Sequence, residues 1–358
     1  MATLTLDTLQ YPIVQAPMAG GPSAPALTAA VSNAGGLGFL AAGYKTVDAL
    51  RADADAVRSQ LSPHASFGVN VFAPPGPRAD PAEVGLYTER LRGEADRAGV
   101  ALGEPRWDDD YYEDKLEFLS GEPVPVVSFT FGCPTSEVVG RLQRAGSAVW
   151  ITTTTPQEAS AASDTGADAL IVQGVEAGGH RGGFDDSTPG EIGLLALLQL
   201  VRDAVGDRLP LVATGGVATG RGIAAVMAAG AAAAQLGTAF MLCPAAGTAP
   251  SHREALAEAS ATTALTRAFT GRMARGITNR FLLEHSGHAP SAYPEIHHLT
   301  AALRTAARQQ GDRGGFHIWA GQAYPLAQRP PAGILVARLA EDARTALASA
   351  AKRFEDDR

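Results

Sequence analysis

Ala169-Leu170-Ile171-Val172-Gln173-Gly174-Val175-Glu176-Ala177-Gly178-Gly179-His180-Arg181-Gly182-Gly183-Phe184 is the stretch from which the fold is read. Its first residues, Ala169 to Val172, are continuously apolar, as in a buried strand covered on both faces rather than wetted at alternate positions. A loop follows in which Gly178, Gly179, Gly182 and Gly183 let the main chain approach a ligand closely. The loop carries one imidazole, His180, which packing alone does not require; the alternative to a chemical role is a histidine that only bonds the loop.

Working outward, seven further apolar, β-prone runs recur: Ile13–Ala16, Leu37–Ala41, Ser66–Val71, Pro125–Phe129, Ala148–Thr152, Leu211–Ala213 and Ala232–Leu236. Helical patterns lie between them. Ser23 is placed to cap a helix running toward Asn33, with Pro25 in its first turn and Gly35-Gly36 ending it. Pro156-Gln157-Glu158 opens a helix toward Asp164, Glu191–Val205 carries a stripe of Leu194, Leu195, Leu198 and Val201, and Gly220–Ala229 is another. Strands alternating with helices in this way predict an α/β fold, a TIM (β/α)8 barrel, closed by a last helix over Gly333–Phe354 with Ile334, Leu335, Leu339 and Leu347 inward.

Two segments break the rhythm. Ala73–Leu119 opens on Pro74-Pro75-Gly76-Pro77 and carries Trp107-Asp108-Asp109-Asp110-Tyr111-Tyr112; it reads as a solvated helix plus loop, or as an active-site lid. Pro244–Gly311 is helix-rich and lacks strand signals, which predicts a small helical insertion after the eighth strand. The expected organisation is a barrel over 1–243 and 312–358 with a substrate-side insertion over 244–311.

Composition narrows the function. The chain has 358 residues, 46% of them hydrophobic, enough for a large core, and a formal charge of −8 that argues against a nucleic-acid surface. No apolar run approaches the roughly 20 residues of a membrane span. Met1-Ala2-Thr3-Leu4 shows no secretory pattern, and Cys133 and Cys243 are far apart in no CxxC pair, so a cytoplasmic setting is expected. No metal site is expected: His297 and His298 diverge by about 100° on a helix, with no carboxylate at ligand spacing, and read as surface residues.

Barrel chemistry gathers at the C-terminal ends of the strands. These ends read Gln15-Ala16-Pro17-Met18, Gly68-Val69-Asn70, Gln173-Gly174, Ala213-Thr214-Gly215-Gly216 and Gln235-Leu236-Gly237-Thr238. Glycine loops after the last two strands, before a helix starting near Gly220, suit a phosphate dianion, with Thr238 offering a hydroxyl. Asn70 and Gln173 offer the mixed donors and acceptors that an isoalloxazine edge needs, unless they are satisfied core amides, and Met18 suits a flat ring. Phosphate at one end and amides at the other describe FMN. Nicotinamide has less support, with no GxGxxG after a strand and no P-loop lysine. Glu176 reads as a loop-fixing carboxylate, Arg181 as either an anion contact or a solvent-facing side chain, and Tyr111, Tyr293 and Tyr324 as candidate pocket walls.

With those positions quoted, the chain resembles the nitronate monooxygenases, formerly 2-nitropropane dioxygenases, of class I, over nearly its whole length. The resemblance rests on Gln15-Ala16-Pro17-Met18, Ser32-Asn33-Ala34-Gly35-Gly36-Leu37-Gly38, Glu176 to Gly182, Ala213 to Gly216, Gln235 to Thr238, and Trp319-Ala320-Gly321-Gln322 with Tyr293-Pro294 upstream. It implies non-covalent FMN held by Asn70, Gln173, Gly178, Gly215 and the Gln235–Thr238 strand end, within a candidate set that also includes Gln15 to Met18, Gly179, Ala213 and Gly216. It further implies His180 as the catalytic histidine, a substrate pocket near Tyr111, Tyr293, Trp319 and Tyr324, and oxidation of alkyl nitronates by dioxygen to a carbonyl compound and nitrite. Propionate 3-nitronate is the first substrate it suggests. The imidazole either takes the α-proton of a neutral nitroalkane or, as a cation, holds the nitronate. Two other readings share these residues: an NAD(P)H-driven FMN reductase of quinones or enoyl thioesters, and a phosphate-ligand binding protein without turnover.

Overall fold

The computed structural model describes residues 6–188, 190–260 and 262–355; Met1-Ala2-Thr3-Leu4, read above for a signal, lies outside them. Strands β1 (Ile13–Gln15), β2 (Gly38–Ala41), β3 (Phe67–Phe72), β4 (Val126–Thr130), β5 (Ala148–Thr153), β6 (Ala169–Gln173), β8 (Leu211–Thr214) and β9 (Ala233–Leu236) form one parallel sheet. Its order, β1-β9-β8-β6-β5-β4-β3-β2, brings β1 and β2 together. There Leu37 donates its N–H to Ile13 and Gln15 to Leu37, both at 2.9 Å, and the barrel closes. All eight expected strands are present within a residue or two of their expected limits.

Side-chain alternation explains why the runs are apolar throughout. Val14, Phe39, Val126, Ala148, Trp150, Ala169, Ile171, Val212 and Ala233 fill the barrel interior. Their neighbours in sequence, among them Ile13, Ile151, Leu170, Val172, Leu211, Ala213 and Leu236, pack outward against the helices. Both faces are dry, and each buried branched side chain contributes about 1.5–3 kcal/mol.

The helices bring three corrections. The first runs Pro25–Asn33 with Ala24 at its N-cap; Ser23 does not cap it but accepts from the Met18 N–H and the Gln15 amide, each at 2.8 Å, shaping the loop after β1. In Leu194–Val205 the inward stripe is Leu194, Leu197, Leu198 and Val201, whereas Leu195 is exposed. Leu335 and Leu339 of the last helix, Ala332–Glu355, are buried, but Ile334 and Leu347 face solvent, since 3.6-residue periodicity puts Val336 and Ala343 inward instead.

A cap covers the strand ends. Within the long segment after β3, helix Pro81–Ala98 buries Val84, Tyr87 and Leu91 against Phe269, Phe281, Ile296 and Leu299, and Glu94 binds Arg280 through both oxygens at 2.7 Å. Its inner face is thus part of the cap, while its outer face, with Leu86 75% exposed, is solvated as expected. The segment after β9 is helix-rich as expected but is not free of strands. Strands β10 (Thr263–Thr266) and β11 (Ala274–Ile277) pair antiparallel with each other, and β11 pairs with the two-residue strand β7 (Gly179–His180). Neither is an apolar run, and tertiary pairing with the glycine loop supplies what propensity does not.

Candidate active site

Parity along the strands selects what faces the barrel mouth. Counting by twos from interior Ile171, Gln173 points inward; likewise Thr130 from Val126, Thr152 from Trp150, Thr214 from Val212 and Gln235 from Ala233. All of these, with Asn70, line a cavity of about 430 Å³ between barrel and cap. Ala16, Pro17, Met18, Gly178, Gly179, His180, Gly215, Gly216, Gly237, Thr238, Trp319 and Tyr324 line it too.

Five expected residues lie outside the cavity lining. Gln15 has outward parity; it is fully buried, donating to Ser23 and accepting from the Phe39 N–H at 3.1 Å. Ala213 and Leu236 have the same parity and pack in the outer shell. Tyr111 is 52% exposed beside the helix Tyr112–Gly121, its ring near Lys115 rather than the cavity. Tyr293 stands just behind the wall, its ring 6.0 Å from that of His180 and its hydroxyl 3.5 Å from that of Tyr44.

His180 is held between barrel and cap. Its main chain pairs with Ala274 of β11, and the next residue, Arg181, donates its N–H to Met273 at 2.8 Å. Its Nε2 lies 2.9 Å from Thr270 Oγ1, which is itself placed to donate to the Arg272 carbonyl at 3.2 Å. The tautomer sets the roles: with the hydroxyl proton on the Arg272 carbonyl, Nε2 donates to Thr270 and Nδ1 is the free acceptor; with it on Nε2, the ring proton sits on Nδ1. Trp319 and Phe131 pack at 5.5 and 5.6 Å between centroids. Burial, then the nearby charges of Arg272 and Arg304, push the His180 pKa down to about 3, so the ring is neutral at ordinary pH.

The glycines around His180 are tight for a reason. A Cβ on Gly178 would stand 2.4 Å from the Gly321 nitrogen, because Trp319-Ala320-Gly321-Gln322 lies directly against this loop. Gln322 donates its N–H to the Glu176 carbonyl at 3.0 Å and Gly321 to Thr238 Oγ1 at 3.1 Å. Glu176 fixes the loop as expected, its carboxylate accepting from the Leu194 N–H at 3.0 and 3.1 Å, at a helix N-terminus. Arg181 meets neither expectation. It is buried, and it donates to the carbonyls of Gly174, Gln173 and Gly190 at 2.6, 3.1 and 3.0 Å and to Gln173 Oε1 at 3.0 Å.

Gln173 also accepts from the Gly182 N–H at 2.8 Å, and Asn70 donates to Ser128 and Thr130 at 2.9–3.2 Å, so both amides are largely satisfied by protein. Gln235 differs: its Oε1 is buried without a hydrogen-bond partner among the described residues, an acceptor awaiting a donor. Gly215 and Gly216 have φ of +114° and +69°, a turn that only glycine takes without strain. These loops lie before the helix Gly220–Ala228, whose N-terminus favours an anion.

Sequence reasoning missed the cap side. Tyr44 lines the cavity with its ring stacked on His297 at 4.3 Å, correcting the surface reading of that histidine; His298 instead meets Asp108 at 2.7 Å. Phe72, Phe131, Thr270, His252, His317, Arg304 and Arg308 also line it. His297 and His252 are pushed down to about 2 and about 4, chiefly by burial, and His317 lies well below the usual range for the same reason.

The family model "Nitronate monooxygenase" matches residues 3–342. The nitronate monooxygenase of Pseudomonas aeruginosa is 41% identical over 94% of this chain and 97% of its own, and that of Paraburkholderia phytofirmans 38% identical over 97% and 96%. The solved nitroalkane oxidase of Streptomyces ansochromogenes superposes with a TM-score of 0.92 at 51% identity, covering 96% of this chain and 99% of that one. FabK from Thermotoga maritima gives 0.76 at 25%, covering 97% of each. With the barrel, the capped cavity and a whole-length match in place, the chain belongs to the nitronate monooxygenase family of oxidoreductases.

Proposed function

We propose that the protein oxidises alkyl nitronates with dioxygen, using FMN, and that propionate 3-nitronate is among its substrates. The observation that carries the reading is the neutral His180 imidazole, held by Thr270 and Trp319 at the wall of a cavity whose floor is glycine loops and inward amides. The floor fits FMN. The turn at Gly215 and Gly216 with Gly237 and Thr238 suits its phosphate, the orphaned Gln235 oxygen suits a ring N–H, and Met18 offers an apolar contact to the ring.

FMN held by these loops and by Gln235 would supply the electron transfer from nitronate to dioxygen. Overall, two nitronates and one dioxygen give two carbonyl compounds and two nitrites. The protein's part is binding, orientation and proton control. The unprotonated ring nitrogen of His180 accepts the α-proton when the substrate arrives as the neutral nitroalkane; its low proton affinity rises once an anion stands beside it, because the new charge favours the imidazolium. Arg304, at the cavity wall, and Arg272, near His180, favour the nitronate over the neutral acid. Phe72, Phe131, Trp319 and Tyr324 supply an apolar part of the wall, beside which these charge effects are less screened than in water.

The test is a flavin absorbance band in the purified protein, followed by oxygen uptake and nitrite release on adding propionate 3-nitronate. Anaerobic mixing with NADH separates the reductase reading, which the FabK likeness keeps in view. Bleaching by NADH but not by a nitronate would sink the proposal. A colourless protein that takes up no FMN would restore the non-enzymatic reading.

A further inference from the structure

Among the described residues, Thr270 Oγ1 is the hydrogen-bond partner of the His180 ring, 2.9 Å from Nε2. Thr270 is only 2% exposed, on the turn between β10 and β11. Gly271, with φ of +78°, donates its N–H to the Arg267 carbonyl at 2.8 Å, and Ala292 donates to the Gly271 carbonyl at 3.0 Å. The Arg272 guanidinium packs 4.1 Å from the centre of the Phe131 ring and donates to the Arg181 carbonyl at 3.3 Å, tying the turn to the residue after His180. From the barrel side, Gln173 Nε2 donates to the His180 carbonyl at 3.2 Å. Hydroxyl and imidazole are therefore braced separately and meet with little freedom.

A threonine hydroxyl has one proton and two lone pairs, and Thr270 has three neighbours for them. The Arg272 N–H donates to Oγ1 at 3.4 Å, the Arg272 carbonyl lies 3.2 Å away and can only accept, and His180 Nε2 can do either. If the hydroxyl proton goes to the carbonyl, Nε2 donates and all three contacts are made. If it goes to Nε2, the Arg272 carbonyl has no other donor among the described residues, in a residue that is 5% exposed. Reversing the Nε2 bond only exchanges one neutral hydrogen bond for another, so the stranded carbonyl is an uncompensated loss. The first arrangement is the stable one.

The other ring nitrogen is the one with room. His180 lines the cavity, and its Nδ1 has no hydrogen-bond partner among the described residues, yet it is not sealed from solvent as the Nδ1 atoms of His285 and His317 are. The ring is neutral at ordinary pH, so one nitrogen carries a proton and the other a lone pair. A proton on Nε2 leaves the lone pair on the open side. A proton on Nδ1 turns the lone pair toward Thr270, where the hydroxyl occupies it. Only the first form is a base toward a molecule in the cavity.

We propose that Thr270 is a positioning residue for the reaction: it accepts from Nε2–H, donates to the Arg272 carbonyl, and so presents Nδ1 as the basic nitrogen. This rests on the function proposed above and assigns the choice of nitrogen to one hydroxyl. When a neutral nitroalkane binds, its α-C–H bond breaks, an Nδ1–H bond forms, and the electron pair stays on the substrate as the nitronate. Thr270 moves no proton. Its oxygen goes on accepting from Nε2–H as the ring becomes an imidazolium, and the bond strengthens with the charge. A preformed nitronate needs no base and does not depend on the tautomer.

The experiment compares kcat/KM for nitroethane and for ethyl nitronate in the flavin-loaded protein, in Thr270→Val and in Thr270→Ser. The valine variant keeps the shape and removes the hydroxyl. Nitroethane turnover should fall roughly 10- to 100-fold, carried by kcat rather than KM, while nitronate turnover stays within about threefold. Thr270→Ser should recover most of the loss. A spectroscopic readout stands beside turnover, in 1H–15N spectra of the flavin-loaded protein labelled at histidine nitrogen. The His180 signals, assigned by their loss in His180→Asn, should show Nε2 protonated and Nδ1 bare, and that preference should weaken in Thr270→Val.

The outcomes separate. A wild-type protein that oxidises neither substrate refutes the proposed function. One that oxidises the nitronate but not nitroethane refutes the base assignment and leaves the function standing. A protonated Nδ1 in the wild type overturns the positioning role alone. So does an unchanged ratio of the two kcat/KM values in Thr270→Val, or a Thr270→Ser protein as impaired as Thr270→Val. Should the valine variant fail to fold, the wild-type spectrum and Thr270→Ser still decide.

Discussion

Gly178→Ala isolates the contact on which the site depends most. The added Cβ would lie 2.4 Å from the Gly321 nitrogen and 2.5 Å from the Ala320 carbonyl carbon, against 3.4 Å where ordinary contact begins, a shortfall of 3.4 − 2.4 = 1.0 Å. Both opposing atoms are main chain, so no rotamer change relieves the clash; the loop carrying His180 and the segment carrying Trp319 must part. Overpacking of this kind costs about 1–3 kcal/mol, and a displacement of about 1 Å at a reacting group costs on the order of 100-fold in rate. We expect a Tm a few degrees lower and kcat/KM for a nitronate down by about two orders of magnitude. The control is Gly99→Ala, at a surface helix end with φ of +66° and open space around it. Its left-handed strain costs about 1–2 kcal/mol with no route to the cavity. Circular dichroism melts and oxygen-uptake kinetics on both variants settle the matter. A Gly178→Ala protein with the wild-type rate would show that the Gly321 contact does not position the histidine, as would a Gly99→Ala protein equally inactive at equal Tm.

His180→Asn should retain flavin absorbance and lose turnover of a neutral nitroalkane at least tenfold more than turnover of the preformed nitronate; equal losses would remove the base role. Because His180 is already neutral, nitronate oxidation should show no acid limb near pH 6.5 in kcat/KM, and a limb there would contradict the lowered pKa. Stability should show the same histidines. His180, His252 and His297 have folded pKa values of about 3, 4 and 2, below the unfolded value, so the unfolded chain binds more protons as pH falls. Their contribution is therefore complete above about pH 6.5 and is lost downward toward pH 4 and below, by up to about 4 kcal/mol for the three together at pH 5.5. Urea midpoints of the ligand-free protein at pH 7 and 5.5 measure it, and equal midpoints would refute it. Asp110→Asn should cost on the order of 3 kcal/mol in urea unfolding, since Asp110 pairs with fully buried Lys115 at 2.7 Å and accepts from the Tyr44 N–H at 2.9 Å. Adding Lys115→Met should restore most of that loss, and a double variant no more stable than the single would argue against the pair.

The barrel was legible because two physical signals coincide in it: apolar runs too continuous for a one-sided sheet, and glycine-rich ends where the chain must turn and leave room. The same periodicity, carried one step further, separates most of the strand-end site from its surroundings. Gln173, Thr214 and Gln235 share parity with interior residues and reach the cavity; Gln15, Ala213 and Leu236 sit one residue out of phase and do not. Thr130 and Thr152 follow from that count, although neither is marked by a glycine or an amide. The cap obeys no such local rule. Tyr44 reaches the cavity because Asp110, distant in sequence, accepts its N–H where φ is +67°. Thr270 meets His180 only because β11 pairs with a two-residue strand that has no propensity of its own. Nonlocal assembly of this kind leaves little trace in one sequence, with one exception. The helix Ala301–Gln310 carries arginines at i and i+4 with no acid among its residues, an arrangement that a merely solvated face would tend to balance with glutamate. Unbalanced charge on a face that spacing alone places together is readable before any coordinate, and here both guanidiniums line the cavity.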